Sequence, residues 1–316
     1  IVVLSASAGV TNILVALAGG LEPTERFSQL DALRQIQFNI LERLRYPNVI
    51  REEIERLLEN ITTLAEAAAL ASSTALTDEL VSHGELMSTL LFVEILRERG
   101  IQAQWFDARK VLRTNDRFGR AEPDIAAVAE MTQQQLAPRL AEGLVVTQGF
   151  IGSEAKGRTT TLGRGGSDTT AVALAAALDA ERCEIYTDVD GIYTADPRIV
   201  SGARRLEEID FRDMLLLAGA GSQVLHDRSV ALALANDVEI RLLSSFEPGR
   251  GSRVRLLADA ERPDYAGVTR SEARSEITLA GRAAGTATLS ELVIALSKSG
   301  IPVLSGSSGE GWVTVR

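Results

Sequence analysis

The stretch Leu162-Gly163-Arg164-Gly165-Gly166-Ser167-Asp168-Thr169-Thr170 decides the fold of this chain. Three glycines within four residues do not fit the interior of a helix or a strand. The Thr-rich segment 158–162 before them favours a strand, and the segment 169–180 after them, rich in Ala, Val and Leu, favours a helix. The stretch therefore predicts a strand, a glycine turn and a helix in succession.

A glycine turn at the start of a helix is a candidate anion site. The free N–H groups of the first helical turn and the positive end of the helix dipole meet there. Arg164 adds a planar guanidinium suited to a carboxylate or a phosphate, and Ser167 and Asp168 occupy positions typical of N-cap residues. The alternative is a capped turn without a ligand, which needs neither three glycines nor the arginine.

Composition limits the classes of protein that the chain can belong to. It has 316 residues, 45% of them hydrophobic, and a net charge of −10. This length suits one large domain, or one domain with a smaller one, and the acidic balance argues against a nucleic-acid partner. The sequence shows no apolar run of membrane-spanning length and no signal peptide, and its single Cys183 favours a reducing compartment. We therefore expect a cytoplasmic protein without a membrane partner.

Strand-like and helical segments alternate over residues 1–245. This order predicts an α/β fold with a mostly parallel sheet between layers of helices. A helix is expected to begin with Thr77 as its N-cap and with acidic residues in its first turn, and another over 222–235. After a break at 246–251, the tail 266–316 reads as a small, incomplete α+β domain with strands at 276–279, 301–305 and 312–315 around one helix.

Three further segments carry candidate ligand groups. Residues 5–12 form a small polar loop between a strand and a helix, which fits either a ligand site or an ordinary connection. Ser82-His83-Gly84-Glu85 places a glycine and an acid before an apolar run, where both are costly unless they are used. Glu85 is thus either a binding group or a surface acid, and His83 is expected to be a hydrogen-bonded structural residue. Residues 186–198 follow a buried strand and contain Asp-Gly and Asp-Pro turns.

Four motifs in this order, 5–12, 82–85, 163–168 and 186–198, resemble those of aspartokinases, which belong to the amino-acid kinase family. The first half is similar to the lysine-sensitive monofunctional type, and the tail is similar to the start of an ACT regulatory domain. The resemblance implies an amino-acid kinase fold. It also implies a catalytic domain over residues 1–255 that lacks its first strand, and a partial ACT-like domain over 266–316.

The resemblance also implies an activity and a site. Aspartokinases transfer the γ-phosphoryl of ATP, with Mg²⁺ held mainly through the phosphates, to the side-chain carboxylate of L-aspartate, the first step of lysine, threonine and methionine biosynthesis. A homodimer and an amino-acid effector, lysine, are implied as well, and no protein metal ligand. The implied site residues are Thr11, Glu85, Arg164 and Ser167 for the substrate, Thr187, Asp188, Tyr193 and Arg198 for ATP, and Asp168 as the catalytic residue that orients cationic groups at the transferring phosphoryl.

Two departures from the family pattern concern cations. Members begin with a strand and a Lys-Phe-Gly-Gly loop, and this chain begins after that point, so we expect an N-terminal truncation. Gln223 stands where members carry a lysine, and Asp227 where they carry a proline. Losing one transition-state donor slows a reaction roughly a hundred- to thousandfold. A non-catalytic amino-acid or nucleotide sensor on the same scaffold therefore stays open, whereas the Ser-His-Gly-Glu element argues against a glutamate kinase.

Overall fold

The computed structural model of the chain describes residues 1–222, 224–249, 251–271, 276–299, 301, 303 and 305–315. They form two compact units, residues 1–178 and 179–316. The elements of the first unit are, in chain order, strand β1 (Val2–Leu4), helices α1 (Val10–Ala18), α2 (Pro23–Leu41), α3 (Arg51–Leu70) and α4 (Thr74–Glu98), strand β2 (Ala103–Phe106), helices α5 (Ile125–Met131) and α6 (Ala137–Leu140), strands β3 (Leu144–Gln148), β4 (Ile151–Ser153) and β5 (Thr159–Thr161), and helix α7 (Gly166–Ala177).

The first unit is built on a parallel sheet with β3 in its centre. The strand order is β1–β3–β2, with Val2 opposite Val146 and Ala103 opposite Leu144. Strands β4 and β5 add an antiparallel hairpin. The apolar face of α3, which includes Ile54 and Ile61, packs into one core with α1, α2 and α4. Because parallel strands end at the same edge of a sheet, the loops after β1 and β3 leave the sheet side by side.

The long helix α4 begins earlier than predicted. Thr77 is not its N-cap: the helix starts at Thr74, and the hydroxyl of Ser73 accepts the N–H of Leu76 at 3.2 Å. Ser and Thr are both good N-cap residues, so residue type alone did not separate the two positions. The earlier start makes Asp78 an interior residue of the helix, and its carboxylate is buried.

The second unit contains two sheets. Its elements are strands β6 (Cys183–Thr187), β7 (Ile192–Tyr193), β8 (Arg205–Leu206) and β9 (Glu208–Asp210), helices α8 (Phe211–Gly219) and α9 (Asp227–Ala235), strands β10 (Ile240–Ser244), β11 (Ser252–Arg255), β12 (Gly267–Ser271) and β13 (Glu276–Ala280), helix α10 (Thr286–Lys298), and strands β14 (Gly306–Gly309) and β15 (Trp312–Val315). In the first sheet β10 is parallel to β6 and antiparallel to β11, and β11 is parallel to β9. The predicted α/β class with mostly parallel pairing is confirmed.

Two predicted elements of the second unit are corrected by the structure. The helix predicted over 222–235 begins only at Asp227, where the side chain of His226 accepts the N–H of Arg228 at 3.4 Å; Gln223 lies outside the described residues. The strand predicted at 301–305 is not found at 301, 303 and 305, and residues 302 and 304 lie outside the described residues. Strand β14 begins only at Gly306 and pairs with β15. The Gly and Ser residues of β14 are typical of a loop, and only the hydrogen-bonded pairing with β15 defines this segment as a strand.

The tail sheet has the order β12–β13–β15–β14, with all its pairings antiparallel. Helix α10 packs on this sheet. The described part of the chain contains no helix that is long and apolar enough to cross a membrane. The division into domains 1–255 and 266–316 stays a prediction.

Candidate functional site

The loop after β1 contacts two of the other predicted motifs. The N–H of Ala6 lies 3.2 Å from Oε1 of Glu85 on α4, and the hydroxyl of Ser88 donates to the carbonyl of Ser5 at 2.8 Å. The hydroxyl of Ser5 lies 2.8 Å from that of Ser167, in the first turn of α7. Three segments that are distant in the sequence therefore meet at one edge of the parallel sheet.

Glu85 is a buried carboxyl group with an unused oxygen. Its side chain is 3% exposed, and Oε2 has no hydrogen-bond partner among the described residues. Burial raises the pKa of Glu85 to about 8, against the smaller opposing effect of the Ala6 N–H. A buried acceptor without a partner is favourable only when a ligand supplies a donor, and a cationic group would also stabilise the ionised form.

The residues that precede Glu85 have structural reasons to be there. A Cβ on Gly84 would lie 2.9 Å from Cβ of Ala6 and 3.1 Å from Cδ1 of Leu14, so the glycine allows α4 to approach α1 closely. Nδ1 of His83 lies 2.8 Å from the carbonyl of Glu79, and burial lowers the pKa of His83. The structure thus favours the expected structural role of His83.

The glycine turn before α7 has the predicted form but a different cap. Gly163 and Gly165 adopt φ values of 74° and 70°, the left-handed region that favours glycine. Gly165 itself is the N-cap, so Ser167 and Asp168 are not caps and lie inside the first helical turn. Arg164 is exposed. Burial raises the pKa of the half-buried Asp168 to about 6.

The end of β3 fits tightly against this helix start. A Cβ on Gly149 would lie 2.7 Å from Oγ of Ser167, so no other residue fits there without movement. Phe150 has a φ of 66°, which is unusual for a bulky residue, and its N–H is bonded to the hydroxyl of Thr170 at 3.1 Å. Strained backbone of this kind is found preferentially at ligand sites. Thr11, the remaining predicted substrate residue, is half-buried at the start of α1.

The four predicted ATP residues lie in the second unit, in and after β6. Thr187 ends that strand, and its hydroxyl donates to the carboxylate of the exposed Asp188 at 3.1 Å. The hydroxyl of Tyr193 bonds both carboxylate oxygens of Asp190, at 3.0 and 3.1 Å, which raises the pKa of Tyr193. The guanidinium of Arg198 is exposed and lies 2.9 Å from the carboxylate of Asp196. Because β6 and β10 are parallel neighbours, these groups extend from the carboxyl edge of a sheet, where α/β folds bind ligands.

Sequence reasoning missed the side chains that support the site. Asp78, expected as an acid of the first helical turn, is 1% exposed, and burial raises its pKa although hydrogen bonds oppose the shift. It accepts the N–H of Gly119 and both the N–H and the hydroxyl of Thr161, at 2.8 to 2.9 Å. It thereby holds β5, and with it the glycine turn, on α4. Its immediate neighbours, Thr77 and Glu79, are polar, so the sequence around Asp78 does not signal its burial.

No three His, Cys, Asp or Glu side chains of the described ranges come close enough together to hold a metal ion. The candidate site of the first unit has two groups of opposite character. Glu85 offers an acceptor for a cation, and the start of α7, with Arg164 beside it, offers donors for an anion.

Comparison with known proteins gives a family and several relatives. The model of the amino acid kinase family matches residues 1–244. The lysine-sensitive aspartokinase 3 of Escherichia coli K12 is 71% identical over 251 residues, which are 79% of this chain and 56% of that protein. An aspartate kinase of Pseudomonas putida is 42% identical over 207 residues, 65% of this chain and 49% of that protein. The chain thus spans about half the length of these relatives.

Two solved structures of E. coli aspartokinase III are similar over 99% of this chain at 59% identity. One is the complex with aspartate and ADP in the R-state, with a TM-score of 0.83 and 70% of that chain covered. The other is the complex with lysine and aspartate in the T-state, with a TM-score of 0.82 and 71% covered.

Proposed function

The chain belongs to the amino acid kinase family, and from that premise we propose that it is the catalytic part of an aspartate kinase. The proposed reaction transfers the γ-phosphoryl of ATP to the side-chain carboxylate of L-aspartate. The observation that carries the proposal is the contact of one loop with both Glu85 and Ser167, through Ala6 and Ser5. This contact supports the proposal, because it brings a buried carboxyl group and the start of a helix to one site, and an amino acid offers an ammonium to the first and a carboxylate to the second.

The substrate roles follow from the chemistry of each group. The free Oε2 of Glu85 accepts the α-ammonium of aspartate, which satisfies the buried oxygen. Arg164 binds a substrate carboxylate through its planar fork. The hydroxyls of Thr11 and Ser167 supply further hydrogen bonds at the two loops.

The proposed reaction requires no covalent intermediate with the protein and no general base. A carboxylate is already ionised and nucleophilic at pH 7. Phosphoryl transfer then depends on in-line positioning and on positive charge at the equatorial oxygens. The start of α7 contributes partial positive charge there, and Asp168 in its first turn orients the cationic groups.

ATP is the proposed second substrate, with Thr187, Asp188, Tyr193 and Arg198 as its binding residues. Mg²⁺, when bound with ATP, offsets the charge of the phosphates. Its principal ligands would be phosphate oxygens with at most one or two carboxylates, and Asp188 is an exposed carboxylate at the end of β6. We further propose a homodimer, which the resemblance of the sequence to aspartokinases implies. A regulatory role for residues 266–316 and lysine as the effector are supported by the lysine complex of E. coli aspartokinase III.

The test is aspartate-dependent turnover measured on the whole chain. We expect ADP release in a coupled assay with Mg·ATP and L-aspartate, and trapping of the acyl phosphate product by hydroxylamine as a hydroxamate. L-Glutamate is the matched control substrate, because it differs by one methylene and keeps every functional group. Turnover that is equal with L-glutamate, or independent of either amino acid, would contradict the proposal.

A second candidate, ligand binding without turnover, is favoured by Gln223 in the place of a lysine. Titration calorimetry with L-aspartate and with a non-hydrolysable Mg·ATP analogue separates the two. Binding of both ligands without ADP release indicates a sensor. If Gln223→Lys, together with an upstream Lys-Phe-Gly-Gly segment, then gives turnover, the scaffold is that of the kinase.

A further inference from the structure

Gln148, the last residue of β3, is a fully buried amide in the central strand of the parallel sheet. Such strands are usually apolar because both of their faces are covered. A buried amide is unfavourable unless its donor and its acceptor are both bonded. Here Nε2 donates to the hydroxyl of Thr89 at 2.8 Å, and Oε1 accepts the N–H of Ala108 at 2.8 Å.

The hydroxyl of Thr89 connects this amide to the helical turn that carries Glu85. Thr89 is fully buried on α4, and its Oγ1 donates to the carbonyl of Glu85 at 2.7 Å. The same oxygen accepts Nε1–H of Trp105 at 2.9 Å as well as the amide of Gln148. A hydroxyl has one hydrogen to donate and two lone pairs, so Oγ1 is saturated and its geometry is fixed from three sides.

The backbone at Gln148 leads to the opposite end of the site. Gln148 is paired with Leu4 in the parallel ladder, and the following N–H, that of Gly149, donates to the carbonyl of Leu4 at 2.8 Å. Gly149 is also the residue whose missing side chain makes room for Ser167. One residue is thus linked to Glu85 through its side chain and to Ser167 through its backbone.

We propose that Gln148 is a positioning residue for the amino-acid substrate, which acts through Thr89 to hold the Glu85 turn in register with Ser167. The inference rests on the proposed function, because it takes Glu85 and Ser167 as the two ends of the aspartate site. Displacement of a binding group by about 1 Å is enough to weaken catalysis about a hundredfold. An apolar residue at 148 would remove one of the two side-chain bonds that hold Thr89, and with it the Glu85 turn, on the sheet.

The test compares Gln148→Met with a matched control, Thr147→Val, on the whole chain. Gln148→Met keeps the side-chain size and removes both amide bonds. Thr147 is the adjacent residue, equally buried, and its hydroxyl donates to the carbonyl of Phe106 at 2.9 Å instead of to α4. Both variants lose buried hydrogen bonding, but only Gln148→Met removes a bond to Thr89 and so loosens the Glu85 turn.

Calorimetry should show that Gln148→Met raises the Kd of L-aspartate about tenfold or more, with the Kd of a Mg·ATP analogue changed less than about twofold. Thr147→Val should leave both constants within about twofold of the starting protein. Thr89→Val should reproduce Gln148→Met, and Thr89→Ser, which keeps the hydroxyl, should restore binding. The fluorescence of Trp105 should change in Thr89→Val and Gln148→Met and stay unchanged in Thr147→Val.

The outcomes of this experiment are distinguishable. If the unaltered chain binds the nucleotide but no L-aspartate, the proposed function fails, and the positioning role fails with it. The other case is that the unaltered chain binds L-aspartate. The positioning role alone is then overturned if Gln148→Met raises the Kd of L-aspartate no more than Thr147→Val does, or if it raises the Kd values of both ligands equally.

Discussion

Oε1 of Glu85 accepts the backbone N–H of Ala6 at 3.2 Å, and no other residue of the described ranges besides Glu85 itself donates to this carboxyl group. Strands β1, β2, β3 and β5 and helix α1 pack against α4 and contain no titratable side chain, and the charged residues of α2 and α3, which also pack against α4, do not shift the pKa of Glu85. Burial of Glu85 is therefore not offset by a neighbouring cation from these elements. The carboxyl group is poised to ionise when a cationic ligand arrives.

The first prediction concerns proton release on substrate binding. Since the pKa of Glu85 is about 8, the group must lose its proton to accept the ammonium of aspartate at pH 7. The affinity for L-aspartate should therefore fall about tenfold for each pH unit from pH 8 to pH 6. Calorimetry in two buffers of different ionisation heat should count nearly one proton released at pH 7. Glu85→Gln should bind weakly without this dependence, and a flat affinity between pH 6 and 8 would contradict the assignment.

The same group predicts how stability depends on pH without any ligand. The pKa of Glu85 rises from 4.5, its ordinary value, to about 8 in the folded chain. The native state therefore holds an extra proton between these values, and the free energy of unfolding falls as pH rises through this window. Urea unfolding at pH 5, 6.5 and 8 should show the unaltered chain losing stability relative to Glu85→Gln. Subtraction removes the similar contribution of Asp168, and parallel curves for the two proteins would disprove the shift.

A third prediction separates the two ligands. Arg164→Ala should raise the Kd of L-aspartate about a hundredfold, because a charge-assisted hydrogen bond to a substrate carboxylate is lost. The nucleotide analogue should bind almost as before, since its proposed residues belong to the other unit. Arg99→Ala, at the exposed end of α4, is the matched control for lost charge. Equal weakening of both ligands by calorimetry would reject the role of Arg164.

The glycine turn shows how far the sequence could predict this site. Three glycines next to an Ala-rich segment predict the turn and α7 correctly, because both depend on local backbone preference. The predicted N-cap residues are wrong, because Gly165 takes the left-handed conformation and is itself the N-cap, so that Ser167 and Asp168 lie inside the helix. Residue type alone does not determine that dihedral angle.

The supporting contacts could not be predicted for a different reason. The bond between Thr89 and Gln148 joins residues 59 positions apart, and that between Asp78 and Thr161 joins residues 83 apart. Such pairs depend on how α4 is placed on the sheet, which local patterns do not specify. For Thr89 and Gln148 the usable signal is a polar residue next to an apolar segment, since a polar group that is buried there must find a partner.

A fourth prediction concerns the ion pair between Arg262 and Asp213 in the second unit. Asp213 is fully buried and receives two bonds from the guanidinium, at 2.6 and 3.3 Å. Arg262→Leu should lower the free energy of unfolding by about 3–5 kcal/mol, because it leaves the buried charge of Asp213 without its partner. The exposed ion pair of Arg282 with Asp264 is the control, and Arg282→Leu should lower the free energy of unfolding by less than about 1 kcal/mol.

The measurement for this pair uses the position of the two tryptophans. Trp105 lies in the first unit and Trp312 in the second, so Trp105→Phe leaves one reporter for residues 179–316. Urea unfolding followed by its fluorescence gives the free energy. The double variant Arg262→Leu with Asp213→Leu should recover most of the loss, since no charge is then buried. If Arg262→Leu and Arg282→Leu lower the free energy of unfolding by similar amounts, burial of Asp213 does not make its ion pair more important for stability, and the prediction is wrong.

The last prediction concerns Gln37, which is fully buried on α2 with neither amide atom bonded to any described residue. Its neighbours in the helix-packed core include the fully buried Leu33 and Leu41. An unbonded buried amide loses its hydration without compensation, so Gln37→Met should raise the free energy of unfolding by about 1–2 kcal/mol. Gln35→Met, on the exposed side of the same helix, should change it by less than about 0.5 kcal/mol. Trp312→Phe leaves Trp105 as the reporter for this unit, and destabilisation by Gln37→Met would mean that an ordered water satisfies the amide.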